Sequence, residues 1–304
     1  LCKAKPVSIC NRKCDAMEAI SSSPVADRIV EFNGVQLQTQ AFGDPANPPV
    51  LLIMGVMSSM LWWPERFCEA LAAQGRYVIR YDQRDTGLST HYPPGKPGYS
   101  FSDLSDDAIA ILDAYGIETA HLVGMSMGGF VAQEAALRLP RRVRTLTLIS
   151  SSPVGVDGLP SSTAAYKAHS AAAESIDWSD LEAIADFLRR DSAMLAGIGH
   201  PHDAEAVSAL IARDMNRAPS FVSATNHFML LSDDKGVTLH ASHIEAPVLV
   251  IHGTLDPLFP IEHAEAFKRV VPNAKLHRIA GGGHEIHDRD IDEVVRVIAG
   301  HTLS

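Results

Sequence analysis

The stretch His121-Leu122-Val123-Gly124-Met125-Ser126-Met127-Gly128-Gly129-Phe130-Val131-Ala132-Gln133 decides the fold. Its opening residues read as a strand and its closing residues as a helix, with G-x-S-x-G between them. A chain of this length should meet that pattern by chance only about 0.1 times, taking Gly and Ser each near ~7% of residues. A sharp strand-to-helix turn needs small neighbours, and Gly124 and Gly128 supply them. Such a turn aims the Ser126 hydroxyl away from the sheet edge. It also leaves Ser126 opening a helix, so its oxygen and the next backbone N–H sit in positive partial charge.

Outward from this turn the pattern is strand and helix in alternation. Upstream, 28–32 and 35–41 alternate in polarity and are joined by Asn33-Gly34, a two-residue hairpin signal because both residues tolerate positive φ. The run 49–54 is continuously apolar, as suits a strand buried on both faces of a parallel sheet. A helix over 64–74, a strand over 77–81 and a helix over 101–115, with Ser102 or Asp103 as its cap, lead into the strand at 120–124. A helix over 128–139, stopped by Pro140, and a strand over 143–150 follow. Between Pro153 and Pro247 the rhythm breaks. Amphipathic helical stretches stand at 180–190 and 204–213, and an apolar stretch at 221–231, with no convincing strand. Strand and helix resume at 247–252, 261–270, 275–279 and 290–301. Alternation of this kind means βαβ units. The expectation is an α/β fold with a mostly parallel central sheet and helices on both faces. Its core domain comprises 27–152 and 247–304. Residues 153–246 form a helical cap over the C-terminal edge of the sheet, where ligands bind in open α/β folds.

Composition narrows the function. The chain has 304 residues, 46% hydrophobic and 20% charged, enough for a sizeable core. A net charge of −10 repels phosphate backbones and anionic lipid, so no nucleic-acid partner is expected. No apolar run approaches the ~20 residues of a membrane helix, and no membrane partner is expected. Cys2, Cys10 and Cys14 crowd the start and Cys68 stands alone. That is neither a disulfide framework nor a zinc site with paired ligand spacing, so no metal is expected. Residues 1–26 read as an N-terminal extension. Lys3, Lys5, Arg12 and Lys13 precede no apolar h-region, the folded part is expected to begin after Ala16, and the default placement is cytoplasmic. The oligomeric state stays open, with a homodimer as one option.

A serine hydroxyl needs an adjacent base. His284 follows Gly281-Gly282-Gly283 directly after the strand at 275–279, on a loop able to return over the sheet edge. Its rival His287 lies further into polar sequence. Asp256 follows the apolar strand at 248–251 and can accept from the imidazole N–H, fixing its tautomer. Each of the three stands at a strand end, in the order Ser, Asp, His. Two oxyanion donors are also required. The N–H of Met127 follows the serine, and the second comes from Gly55-Val56-Met57, where Val56 is chosen over Gly55.

Met54-Gly55, Trp63-Pro64, the run Val78-Ile79-Arg80-Tyr81-Asp82-Gln83-Arg84-Asp85-Thr86-Gly87-Leu88-Ser89 and the elbow around Ser126 resemble α/β-hydrolases of the aclacinomycin methylesterase-like group. The resemblance covers about 28–150 and 243 to the end, and is weakest in the insertion. It implies an α/β-hydrolase fold and a carboxylic ester hydrolase without a cofactor. It also implies a triad of Ser126, Asp256 and His284, with oxyanion donors at Val56 and Met127. The group's pattern has glycine where Val56 stands, and a β-branched residue there restricts φ and narrows the pocket mouth. Arg84 and Asp85 are read as pairing with each other beside the site, without a chemical role.

The substrate expected is a small or medium apolar ester. Met57, Met60, Leu61, Trp62 and Trp63 lie near the oxyanion loop, while Met194, Met215, Phe221, Phe228 and Met229 come from the insertion. Of these, Met57, Trp63, Met194, Phe221, Phe228 and Met229 are the expected pocket lining. Lactone, thioester, aminopeptide and carbon–carbon hydrolysis, and perhydrolysis, share the same triad. A non-catalytic ligand-binding protein could retain it. An aminopeptidase would need carboxylates facing the pocket, and nothing places Glu174, Glu182 or Glu205 inward.

Overall fold

A computed structural model of the protein describes residues 27–232 and 239–303. The expected N-terminal extension over 1–26, with Cys2, Cys10 and Cys14, lies outside the described residues. Eight strands form one sheet in the order β1-β2-β4-β3-β5-β6-β7-β8. They are β1 (Asp27–Phe32), β2 (Val35–Phe42), β3 (Pro49–Ile53), β4 (Tyr77–Tyr81), β5 (Ala120–Met125), β6 (Val143–Ile149), β7 (Val248–Gly253) and β8 (Lys275–Ile279). β1 and β2 pair antiparallel, as do β2 and β4, and every other pairing is parallel. Asn33 and Gly34 take φ values of 46° and 79°, the turn that the hairpin signal requires.

Helices cover both faces. They are α1 (Glu65–Ala73), α2 (Phe101–Ala114), α3 (Met127–Arg138), α8 (Glu262–Val270) and α9 (Ile291–His301). The period-2 geometry of a strand divides the core in two. Leu51 and Ile53 of β3 face one cluster with Leu104 and Ile111 of α2, Val131 of α3 and Phe267 of α8. Val50 and Leu52 face the other, with Phe67 and Leu71 of α1 and Val294 and Ile298 of α9. That is why β3 reads as a continuous apolar run: both of its faces are buried. Cys68 belongs to the second cluster as a buried free thiol, and burial pushes its pKa up to about 12.

Between β6 and β7 the described residues form helices and no strand: α4 (Ala164–Ala171), α5 (Leu181–Leu195), α6 (Ala204–Arg217) and α7 (Asn226–Ser232). Sequence periodicity misses α4, because none of its residues is buried and it carries no apolar stripe. Among the described residues no helix is long and apolar enough to cross a membrane.

The segment after β4 departs from its expected pairing. Arg84 does not pair with Asp85; its guanidinium meets Asp107 of α2 through two 2.7 Å contacts. Asp85 sits at φ 67°, which turns its carboxylate elsewhere. There it accepts from Tyr99 Oη at 2.7 Å and Asn226 Nδ2 at 2.9 Å. Asp82, fully buried, accepts from the N–H groups of Met60 and Leu88 and pairs with Arg217 at 2.7 Å. One carboxylate thus fastens the loop after β3 and the end of α6 to the sheet.

Candidate active site

β5 ends at Met125 and α3 starts at Met127, so Ser126 occupies the whole turn, at φ 52° and ψ −119°. A non-glycine residue there stores about 1–3 kcal/mol of strain and must be held by its surroundings. Ser126 N–H donates to Ile149 O (2.9 Å), and its carbonyl accepts from Gly129 N–H (2.9 Å) and Ser151 Oγ (3.0 Å). The glycines are steric necessities. A Cβ on Gly124 would stand 2.6 Å from the Gly128 carbonyl carbon and 2.7 Å from Gly129 Cα. One on Gly128 would stand 2.5 Å from Met54 O and 2.6 Å from the Ile53 carbonyl carbon. The elbow therefore packs backbone to backbone against the end of β3. Gly55 beyond it is tight but not excluded: a Cβ there would lie 3.3 Å from Ser126 Cβ.

His284 follows β8 on its glycine loop. The loop runs beside the end of α5, where His284 N–H donates to Leu195 O at 2.7 Å. Its Nδ1 lies 2.8 Å from Asp256 Oδ2. The other oxygen of Asp256 accepts from the N–H groups of Leu258 (2.8 Å) and Phe259 (2.9 Å). His252 Nε2 stands 3.3 Å from Asp256 Oδ2 and 2.7 Å from Phe259 O. Burial alone would raise the Asp256 pKa, but His284, His252 and the Phe259 N–H outweigh it and hold the carboxyl below its usual range. For His284 burial pulls the imidazole pKa down; the Asp256 carboxylate, with Glu285 and Asp191, overrides this and raises it.

Ser126 and His284 line one cavity of about 450 Å³, together with Val56 and Met127. The loop carrying Val56 is fixed by its neighbours. Met57, at φ 60°, turns its N–H toward His227 Nδ1 at 3.2 Å, and His227 Nε2 lies 2.8 Å from Arg84 O. Burial lowers the His227 pKa, consistent with a neutral ring that accepts at one nitrogen and donates at the other. Gln83 Nε2 donates to Met54 O at 2.8 Å.

Of the expected pocket residues, Met57, Trp63, Phe221 and Phe228 line the cavity, as does Trp62. Met194 and Met229 are corrected: neither is among the residues lining it. α5 turns the face bearing Phe187, Leu188, Asp191, Ser192 and Leu195 to the cavity, and Met194 lies off that stripe. On α7, Phe228 and Leu231 line it, while Met229 is 45% exposed. Met60, Leu61 and Met215 also lie outside the lining, with Met60 buried in the fold beneath it.

Sequence reasoning missed the charged lining. Among the described residues the cavity presents three carboxylates, Asp191, Asp214 and Glu285, and no Lys or Arg. Asp214 accepts from Trp62 Nε1 at 2.8 Å. Asp191 stands 3.0 Å from His169 Nε2, and Glu285 accepts from Ser192 Oγ at 3.1 Å. Burial pushes the Glu285 pKa up to about 7. Glu285 was visible as the neighbour of His284; Asp191 had no signal beyond its place on an amphipathic helix.

The α/β hydrolase fold family matches residues 48–290. Rhodomycin D methylesterase DauP of Streptomyces sp. (strain C5) is 31% identical over 90% of this chain and 97% of its own. The 2-hydroxymuconate semialdehyde hydrolase of Pseudomonas putida is 29% identical over 93% of this chain and 96% of its own. Among solved structures, the 2-hydroxy-6-oxo-6-phenylhexa-2,4-dienoate hydrolase from Rhodococcus sp. strain RHA1 superposes with a TM-score of 0.75 at 20% identity, covering 93% of this chain and all of that one. A sheet of this order, a serine elbow after β5 and a match spanning most of the chain lead to one conclusion: the protein belongs to the α/β hydrolase fold family and is a hydrolase with a methylesterase among its relatives.

Proposed function

We propose that the protein is a serine carboxylic ester hydrolase acting through an acyl-enzyme. The observation that carries this reading is the shared cavity. Ser126 on its strained elbow faces the same space as His284, whose Nδ1 is 2.8 Å from Asp256 Oδ2. In this reading Ser126 Oγ attacks the ester carbonyl carbon while His284 Nε2 takes its proton. Asp256 fixes the tautomer, since its contact with Nδ1 leaves Nε2 toward the serine. The negative oxygen that develops is met by backbone N–H groups. Met127 is the first residue of α3, so its N–H has no partner within the helix. Met57 N–H is committed to His227, which makes Val56 the donor that the loop offers. The C–O bond to the leaving alcohol then breaks and His284 returns the proton to it. Water, deprotonated by His284, then attacks the acyl carbon; the bond to Ser126 Oγ breaks, His284 returns the proton to Ser126, and the acid leaves.

The lining favours a neutral apolar ester over an anionic one: burial drives its carboxyls, Asp191, Asp214 and Glu285, toward the neutral form, and among the described residues it holds no Lys or Arg that could bind an anion. This speaks for ester cleavage over hydrolysis of a dienoate, the anionic substrate that the Rhodococcus enzyme's name specifies. In the same reading the helices between β6 and β7 act as a cap that closes the cavity. Ser126→Ala should remove turnover of neutral p-nitrophenyl acyl esters, by on the order of 10⁶-fold if this serine is as indispensable as other triad serines. Undiminished turnover in a folded Ser126→Ala variant contradicts the proposal.

A further inference from the structure

A second cluster lies on the far side of the histidine loop. His200 comes from the connection between α5 and α6, and His287 and Asp290 from the segment that leads from His284 into α9. Their ligand-capable atoms all lie within 4.8 Å of one another. His200 is 7% exposed, and neither of its ring nitrogens has a hydrogen-bond partner among the described residues. Asp290, also 7% exposed, likewise has no hydrogen-bond partner at Oδ2 among the described residues. A buried imidazole with both nitrogens unmet is costly and calls for a missing partner.

The geometry identifies what is missing. His200 Nδ1 and Asp290 Oδ2 are 3.2 Å apart yet do not form a hydrogen bond. Two donors held at ~2.0–2.2 Å from one tetrahedral ion are about 3.3 Å from each other. The pair is therefore spaced as two ligands of a common centre. His287 is already oriented in the manner of a metal-bound imidazole. Its Nε2 lies 2.7 Å from Pro201 O, so that N–H can be given to a carbonyl while Nδ1 serves as ligand. Nδ1 now accepts only a long bond of 3.2 Å from Arg289 N–H, which a metal would displace. The guanidinium of Arg289 stands 3.6 Å from the other Asp290 oxygen and steadies that carboxylate.

We infer that His200, His287 and Asp290 bind one divalent ion of zinc's type. Two imidazoles and one carboxylate suit a borderline cation that accepts four ligands, with water as the fourth. The ion's role is structural: it ties the connection between α5 and α6 to the segment carrying His284. Those two stretches already run backbone against backbone, since a Cβ on Gly197 would lie 2.9 Å from Gly283 N. The inference is independent of the esterase reading.

The test uses untagged, metal-stripped full-length protein with Cys2, Cys10 and Cys14 changed to Ser, so that these thiols cannot take the ion. Equilibrium dialysis against zinc chloride should leave one zinc per chain and raise the melting temperature. Cobalt(II) in its place should give the strong visible bands of a tetrahedral site. His200→Ala should lose all three responses. Asp290→Asn keeps the side chain's size and shape at the start of α9, where it makes no cap hydrogen bond, and covers the case in which His200→Ala fails to fold. It should lose tight binding while a fluorophosphonate still labels Ser126. Zinc retained equally by wild type and a folded Asp290→Asn variant, or no stoichiometric zinc in the wild type, overturns the inference.

Discussion

Gly128→Ala tests the elbow through a single methyl group. Gly128 has an ordinary helical backbone, so the cost of a side chain there is steric. The added Cβ would stand 2.5 Å from Met54 O, and closer to Ile53 O, where real Cβ contacts are not found under 3.0 Å. Both obstacles are backbone, which no rotamer change can clear. Either α3 or the end of β3 must move by more than about 0.5 Å, the shortfall at Met54 O, since the Ile53 O contact is closer still. Forcing extra volume into a packed core costs about 1–3 kcal/mol. In melting temperature each kcal/mol is worth about 1.6 °C for a chain of 304 residues at roughly 2.1 cal/mol/K of unfolding entropy per residue. The kinetic effect should be comparable, because the displacement separates Ser126 from the loop carrying Val56, and a ~1 Å misplacement can cost about 10²-fold in rate, roughly 2.7 kcal/mol. The assay pairs thermal unfolding with kcat on a neutral p-nitrophenyl ester. Gly300→Ala is the control. Nothing lies within 4 Å of a Cβ there, inside α9, and alanine's helix propensity should leave stability unchanged or raised by up to ~1 kcal/mol. A Gly128→Ala variant with wild-type kcat and melting temperature would refute the steric account of the turn.

Three further outcomes follow from the same geometry. In the proposed mechanism Asp256→Asn preserves shape but removes the charge that would fix the His284 tautomer, so kcat should fall on the order of 10⁴-fold; a drop below tenfold would argue that Asp256 is dispensable. The Asp256 carboxylate holds the His284 pKa above the usual 6.5, and the base must be neutral. The acid limb of kcat/KM should therefore lie above pH 6.5 and shift down in Asp256→Asn, and a limb at or below 6.5 in the wild type would contradict this. The sign for stability is opposite: a raised folded-state pKa contributes fully below the unfolded value and is lost as pH rises through the folded one. Asp107→Ala would strand the buried Arg84 guanidinium, and chemical denaturation should show a loss of about 3–5 kcal/mol; a loss under ~1 kcal/mol would mean that Arg84 finds another partner.

The elements that position the site were legible because each obeys a short-range rule. The Asn33-Gly34 hairpin, the doubly buried β3 run and the glycines around Ser126 are each dictated by neighbours within a few residues or by steric exclusion. Asp256 and His284 were legible for a different reason. Asp256 follows the apolar β7 and His284 the more exposed β8, and parallel strands bring their C-terminal ends to one edge. The cavity wall was not legible. Which face of α5 and α7 turns inward depends on the rotation of each helix, and the sequence placed Met194 and Met229 inward where Asp191, Leu195 and Leu231 stand. Long-range polar partners were equally hidden. Arg84 meets Asp107 in α2 and passes over its neighbour Asp85, because the φ of 67° at that neighbour sends its carboxylate to Tyr99.

Hydrolysis by the proposed mechanism requires that Ser126 become covalently acylated. Rapid mixing with an activated neutral ester, quenched in acid and followed by peptide mass analysis, measures this directly. An acyl-enzyme on Ser126 gives a burst of one alcohol per active chain and an acyl mass on the peptide containing Ser126, both absent from Ser126→Ala. A burst with the acyl group on another residue, or steady turnover with Ser126 unmodified at every time point, would contradict it.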